Sequence, residues 1–129
     1  MSRVHILATG GTIAGQAGSA ADSRYRSGEI DVEQLIDAVP GVRSLATLAA
    51  EQFAQVGSQD MNDALWLKLA ARVNALFDAD EADGVVITHG TDSAEETGYF
   101  LHLTVKSARP VVLTGAMRPA TSLSADGRF

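Results

Sequence analysis

Two kinds of hydrophobic pattern alternate along this chain. Unbroken apolar, β-favouring runs occupy Val4–Ala8, Gly84–Thr88 and Pro110–Thr114, and a weaker one lies at Gln52–Val56. Continuous runs of this kind predict parallel strands covered on both faces. Between them, Trp66, Leu69, Ala70, Val73, Leu76 and Phe77 recur at 3- and 4-residue steps within Asn62–Asp78. That spacing predicts a helix with one apolar stripe. Ser93-Ala94-Glu95-Glu96 has capping-box spacing and predicts a helix from Ala94 to about Val105, its two acids at the positive end of the dipole. Asp31–Val39 reads as a shorter helix stopped by Pro40-Gly41. Strands alternating with helices predict an α/β fold, a three-layer, mostly parallel, doubly wound sheet.

Composition narrows the function classes. At 129 residues, with 46% hydrophobic and 20% charged, the chain has the make-up of one globular domain. A net charge of −6, with no two basic residues adjacent, argues against nucleic acid as a partner. Without cysteine there is neither thiolate chemistry nor a Cys-held metal, and no His spacing suggests a metal site. No apolar run approaches the roughly 20 residues that span a bilayer. The first strand begins almost at Met1, so no signal peptide is expected and the chain reads as cytoplasmic, or periplasmic if a leader was removed. Two segments lack periodicity. Gln16–Gly28 is rich in Ala, Ser, Gly and Asp and reads either as an active-site lid or as a plain connection. Ser122–Phe129 ends after a turn with no closing element and reads as a cut chain.

The chemistry concentrates in turns that follow strands. Thr9-Gly10-Gly11-Thr12-Ile13-Ala14-Gly15 follows the first run, and Thr88-His89-Gly90-Thr91-Asp92-Ser93 follows another. In open α/β sheets, ligands bind at the carboxyl ends of strands. The first turn lacks the G-x-G-x-x-G spacing of a dinucleotide site and has no P-loop lysine, so nucleotide binding is the weakest reading. Thr12 is then either a turn residue or a nucleophile that needs an activating partner. Asp92 either caps the following helix or holds a cationic group of a substrate. His89 invites a general-base role, but its strand-to-turn corner suits a structural histidine better. His5 and His102 read as core and surface residues. Tyr25, in the aperiodic segment, reads equally as an exposed anchor. Gly57-Ser58-Gln59-Asp60 offers a hydroxyl, an amide and a carboxylate in a row, suiting either a small polar ligand or a turn.

Taken in order, these segments resemble the bacterial-type L-asparaginase and glutaminase-asparaginase family. The resemblance rests on Ala8–Gly15, Gly57-Ser58-Gln59-Asp60-Met61-Asn62-Asp63, Ile87-Thr88-His89-Gly90-Thr91-Asp92 and Gly115-Ala116-Met117-Arg118-Pro119. It extends through Glu95-Glu96-Thr97, Leu103-Thr104-Val105-Lys106 and Ser124-Ala125-Asp126-Gly127, and so covers essentially the whole chain. It implies that residues 1–129 are a partial N-terminal, catalytic asparaginase domain without the family's C-terminal domain.

The resemblance also implies a reaction: hydrolysis of the side-chain amide of L-asparagine, with L-glutamine as a second substrate. Thr12 would be the nucleophile, Tyr25 would close over it from the lid, and Thr91 and Asp92 would complete the catalytic set. Gly11, Ser58, Gln59, Gly90, Thr91, Asp92 and Ala116 would bind substrate. Within that set Ser58 takes the α-carboxylate, Gln59 and Asp92 hold the α-ammonium, and the Ala116 carbonyl accepts from the leaving amide. No cofactor and no metal are implied, and the family's enzymes are homotetramers. Its proton relay includes a lysine from a segment beyond Phe129, and neither Lys68 nor Lys106 matches that motif. A catalytically impaired domain that binds acidic amino acids without turnover is therefore the alternative expectation.

Overall fold

The structure, a computed structural model, describes residues 1–17, 25–26, 30–123 and 125–126. Among the described residues six strands run in chain order: β1 (Arg3–Gly10), β2 (Gln16–Ala17), β3 (Tyr25–Arg26), β4 (Thr47–Val56), β5 (Gly84–Thr88) and β6 (Val111–Thr114). The described α-helices fall between β3 and β6: α1 (Val32–Asp37), α2 (Val42–Leu45), α3 (Asp63–Asp78) and α4 (Ala94–Thr104). The main sheet is parallel with order β4-β1-β5-β6, and β2 and β3 form a separate antiparallel pair.

Alternation along β1 and β5 builds two cores. Leu7, Val85 and Ile87 face α3 and α4, where Leu69, Val73, Leu76, Phe77 and Leu101 close over them. Ile6 and Ala8 face the other way and pack on Val32 and Ile36 of α1. Helices on both faces make the three-layer, doubly wound α/β arrangement that the pattern predicts. They also explain why the strands carry apolar residues on both sides.

Local chemistry sets the boundaries. Helix α3 starts at Asn62, whose side chain accepts from Leu65 N at 3.2 Å. Helix α1 starts at Asp31, which accepts from Gln34 N at 3.0 Å, and ends earlier than Val39. Strand β4 is twice as long as the expected Gln52–Val56. Its first half includes Leu48-Ala49-Ala50-Glu51, helix-favouring residues that parallel pairing with Val4–Leu7 holds extended. At the amino ends of the strands, Arg3 Nη2 reaches Asp83 Oδ1 at 2.7 Å and Arg109 Nη2 reaches Asp80 Oδ1 at 2.6 Å. Hydrogen bonds from Arg3 hold the Asp83 carboxyl down at about 2.

His5 sits in this fold as a buried residue facing Glu51 and Arg72. Its Nε2 is 3.6 Å from Glu51 Oε2, whose short contact, at 2.8 Å, goes to Arg72 Nε. Burial first, and then Arg72, push the His5 pKa below its ordinary value, against an opposing pull from Glu51 and Glu81. The folded state therefore binds fewer protons at His5 than the unfolded state does. This contribution to stability is complete above the unfolded value of about 6.5 and is lost as pH falls below it. Urea midpoints at pH 7.5 and pH 5 will accordingly differ less in His5→Gln than in the parent chain. Asn62→Ala will lower stability by about 1 kcal/mol with little change in the denaturant slope, as loss of a single cap does.

Candidate active site

Residues after the strands leave the sheet in opposite directions. The segment after β1 leads to α1 on one face, whereas β4 and β5 lead to α3 and α4 on the other. Because β4 and β5 flank β1, the chain diverges on both sides of the carboxyl end of β1. That divergence is the switch point at which doubly wound sheets open a crevice.

Four turns line this crevice. Thr12–Ala14, Ser58–Asp60 and Thr91–Ser93 each form a single 3-10 turn, following β1, β4 and β5. Gly115 and Ala116 follow β6. A bulge between Ala8 and Gly10 breaks the β1–β4 register and brings Gly11 N to Val56 O at 2.9 Å. Gly11 has φ +77°, and a β-carbon on it would collide with Gly90 N and lie 2.6 Å from Gly90 Cα. The turns that carry Thr12 and Thr91 therefore touch backbone to backbone, and only glycine fits at that junction. Gly90 in turn lies against Ser58: a β-carbon there would meet Ser58 Oγ and lie 2.7 Å from Ser58 Cβ.

Hydrogen bonds tie the second and third turns together. Ser58 is buried, its Oγ accepts from Asp92 N at 3.0 Å, and it donates to Asp92 Oδ2 at 3.3 Å. Ser93 Oγ donates to Ser58 O at 2.7 Å. This last bond corrects the capping-box expectation. Ser93 does stand at the N-cap of α4, but its hydroxyl makes no cap bond, because the neighbouring turn claims it. Asp92, likewise, is joined to Ser58 across the crevice. On the fourth turn, Asp126 accepts from Met117 N at 3.2 Å and from Arg118 N at 3.0 Å. Burial pushes the pKa of Asp126 up, but the backbone N–H groups of Arg118, Met117 and Asp126 itself, with the Arg118 charge, together leave it lowered.

The expected site residues thus gather at one edge of the sheet. Thr12, Gly11, Ser58 and Gly90 are buried, Ala116 is 5% exposed, and Thr91, Gln59 and Asp92 reach solvent. Tyr25 has its backbone in β3, paired with Ala17, but its side chain and most of the 16–28 segment lie outside the described residues. His89 is 1% exposed, with Nδ1 2.7 Å from Gly90 O and Nε2 3.0 Å from Thr97 Oγ1. It faces the core and not the crevice. His5 is buried within β1 and His102 is exposed on α4, so neither lies in one of these turns. Two supporting groups escaped the reading of the sequence: Asp126, which pins the Ala116 turn, and the Trp66–Thr97 pair behind His89. Thr97 and Asp126 stand in segments that carry the resemblance, but nothing in the local spacing reveals that Asp126 reaches back nine residues or that Trp66 and Thr97 meet across two helices.

A family model described as "Asparaginase, N-terminal" matches residues 3–129. L-asparaginase 2 of Escherichia coli strain K12 is 56% identical over 129 residues, which are all of this chain and 36% of that protein. The protein named Glutaminase-asparaginase from Pseudomonas fluorescens biotype A is 48% identical over 128 residues, 98% of this chain and 35% of that one. The crystal structure of a probable cytoplasmic L-asparaginase from Campylobacter jejuni superposes with a TM-score of 0.95 at 56% identity, covering 99% of this chain and 39% of its own. The chain spans about a third of the length of the curated relatives it matches. With the motif order, the parallel sheet and the crevice in agreement, the chain belongs to the asparaginase family, in the part that forms its N-terminal domain.

Proposed function

We propose that this chain supplies the nucleophile and most of the substrate contacts of an amidohydrolase acting on L-asparagine, with L-glutamine as a second substrate. The observation that carries the reading is the backbone contact of Gly11 with Gly90, which brings the Thr12 and Thr91 turns to one crevice. Thr12 Oγ1 attacks the side-chain amide carbon, the C–N bond breaks, and the threonine proton leaves with the nitrogen as ammonia. Water then cleaves the acyl-threonine ester, releasing aspartate or glutamate and restoring the hydroxyl. Tyr25 closes over Thr12, and Thr91 takes part in proton transfer, its base being a lysine supplied from outside residues 1–129. Backbone N–H groups at Thr12 and Thr91 receive the developing oxyanion, where one aimed donor is worth about 3–4 kcal/mol.

Binding follows from charge. The substrate is a zwitterion, and the Ser58–Asp92 pair presents a hydroxyl and a carboxylate 3.3 Å apart. Ser58 serves the α-carboxylate. Asp92, with Gln59, serves the α-ammonium. The Ala116 carbonyl receives the leaving amide. A site that pairs both charges discriminates against ligands lacking either one, because its polar groups would be left unpaired. In this reading the active assembly is a homotetramer.

Ammonia release from L-asparagine, measured on the protein at the full length its gene encodes, tests the proposal. Thr12→Val and Thr91→Val will each lower kcat about a thousandfold or more. Asp92→Ala will chiefly raise KM. Undiminished turnover in Thr12→Val would overturn the mechanism. The 129-residue chain by itself will bind L-aspartate in calorimetry while releasing ammonia far more slowly than the full-length relatives; equal turnover would refute the need for an external base.

A further inference from the structure

A buried line of hydrogen bonds runs behind the crevice. Trp66 Nε1 donates to Thr97 Oγ1 at 2.7 Å. Thr97 Oγ1 lies 3.0 Å from His89 Nε2, and His89 Nδ1 lies 2.7 Å from Gly90 O. Thr97 is fully buried, His89 is 1% exposed, and the indole is held by stacking on Phe100, with centroids 6.0 Å apart. The line therefore crosses from α3 to α4 and into the turn after β5.

Its direction is forced from both ends. An indole N–H can only donate, and a backbone carbonyl can only accept. His89 Nδ1 must therefore carry the hydrogen that goes to Gly90 O. In the neutral ring this leaves a lone pair on Nε2, and Thr97 Oγ1, which accepts from Trp66, donates its own proton to it. Each hydrogen has one acceptor, and the imidazole is fixed as the Nδ1–H tautomer.

The consequence lies one atom further on. Gly90 C=O and Thr91 N–H belong to a single planar trans peptide, so they point in opposite directions. Drawing the carbonyl inward onto the imidazole turns the Thr91 N–H outward, on the side where Thr91 itself reaches solvent. As the first N–H of its 3-10 turn, it has no acceptor within that turn. We propose that Trp66, Thr97 and His89 are positioning residues that aim the Thr91 amide into the crevice as a donor to the reacting carbonyl oxygen. The role given to that amide rests on the proposed amidohydrolase; the tautomer lock does not.

Two measurements separate these parts. Nitrogen-15 NMR of the histidine side chains in the protein at the full length its gene encodes will show His89 as Nδ1–H. The signature will persist in Thr97→Ser, which keeps the hydroxyl, and give way to mixed tautomers in Thr97→Val. Kinetics on the protein at the full length its gene encodes will show kcat for asparagine about tenfold or more lower in Thr97→Val, a fraction of what removal of a whole donor costs. KM will change less than about threefold, and Thr97→Ser will restore kcat. Should Thr97→Val not fold, Trp66→Phe, which removes only the N–H donor, will give mixed tautomers and an intermediate kcat. An Nε2–H signal in the parent overturns the lock. So does an unchanged tautomer in both Thr97→Val and Trp66→Phe. Mixed tautomers with unchanged kcat overturn the positioning role. A parent that hydrolyses neither asparagine nor glutamine overturns the proposed function, while the NMR result still decides the lock.

Discussion

The crevice depends on one close approach: the Gly11 backbone lies directly against Gly90, with no room for a side chain between them. Parallel neighbours in a sheet sit about 4.8 Å apart, so turns leaving adjacent strands can meet only if nothing projects between them. The bulge at Ala8–Gly10 keeps the end of β1 paired with Val56 of β4, and Gly11, at positive φ and without a β-carbon, leaves room for Gly90. Every polar group of the site is placed relative to this junction. The Ser58 turn leans on Gly90, the Asp92 turn is bonded to Ser58, and the β6 end enters through the bond from His89 N to Thr114 O at 2.8 Å.

The rest of the fold keeps that junction rigid. β1 is hydrogen-bonded on both sides and covered on both faces, so it cannot shift without breaking two ladders and two cores. Parallel pairing is strict about register when alternate residues face different cores, since a slip of one residue would exchange the two sets. At the opposite edge, the Arg3–Asp83 and Arg109–Asp80 pairs join the amino ends of β1, β5 and β6. These pairs are largely exposed, and their contribution is alignment more than net stability.

What the sequence revealed and what it hid divide along the range of the interactions. β5 matched its apolar run residue for residue, α3 began within one residue of the expected Asn62, and α4 began at the expected Ala94, because strand burial and helical periodicity are written in neighbouring residues. The first half of β4 was hidden, since Leu48-Ala49-Ala50-Glu51 has helical composition and only the partner strand makes it extended. Helix α2, a single turn at Val42–Leu45, is too short to leave a periodic signal. The gathering of Thr12, Ser58, Thr91, Asp92 and Ala116 at one sheet edge followed from strand ends together with the family motifs. The contacts within that group did not. Ser93 spends its hydroxyl on Ser58, 35 positions away, where local spacing pointed to its own helix.

His89 shows why such distinctions matter for chemistry. By residue type and position it is the natural base for a hydroxyl two residues away, and in isolation its imidazole would compete for that role. Both of its nitrogens are committed instead, one to the Thr97 hydroxyl and one to the adjacent carbonyl, and the ring is closed off from solvent. A base must have a free lone pair within reach of the proton it takes. His89 has none on the crevice side, so in the proposed reaction another group must activate the threonine hydroxyl. The histidine serves through its geometry: the bond that disqualifies it as a base is the same bond that orients the peptide carrying the Thr91 N–H. One buried side chain thereby links the packing of α3 and α4 to the direction of a single donor at the edge of the sheet.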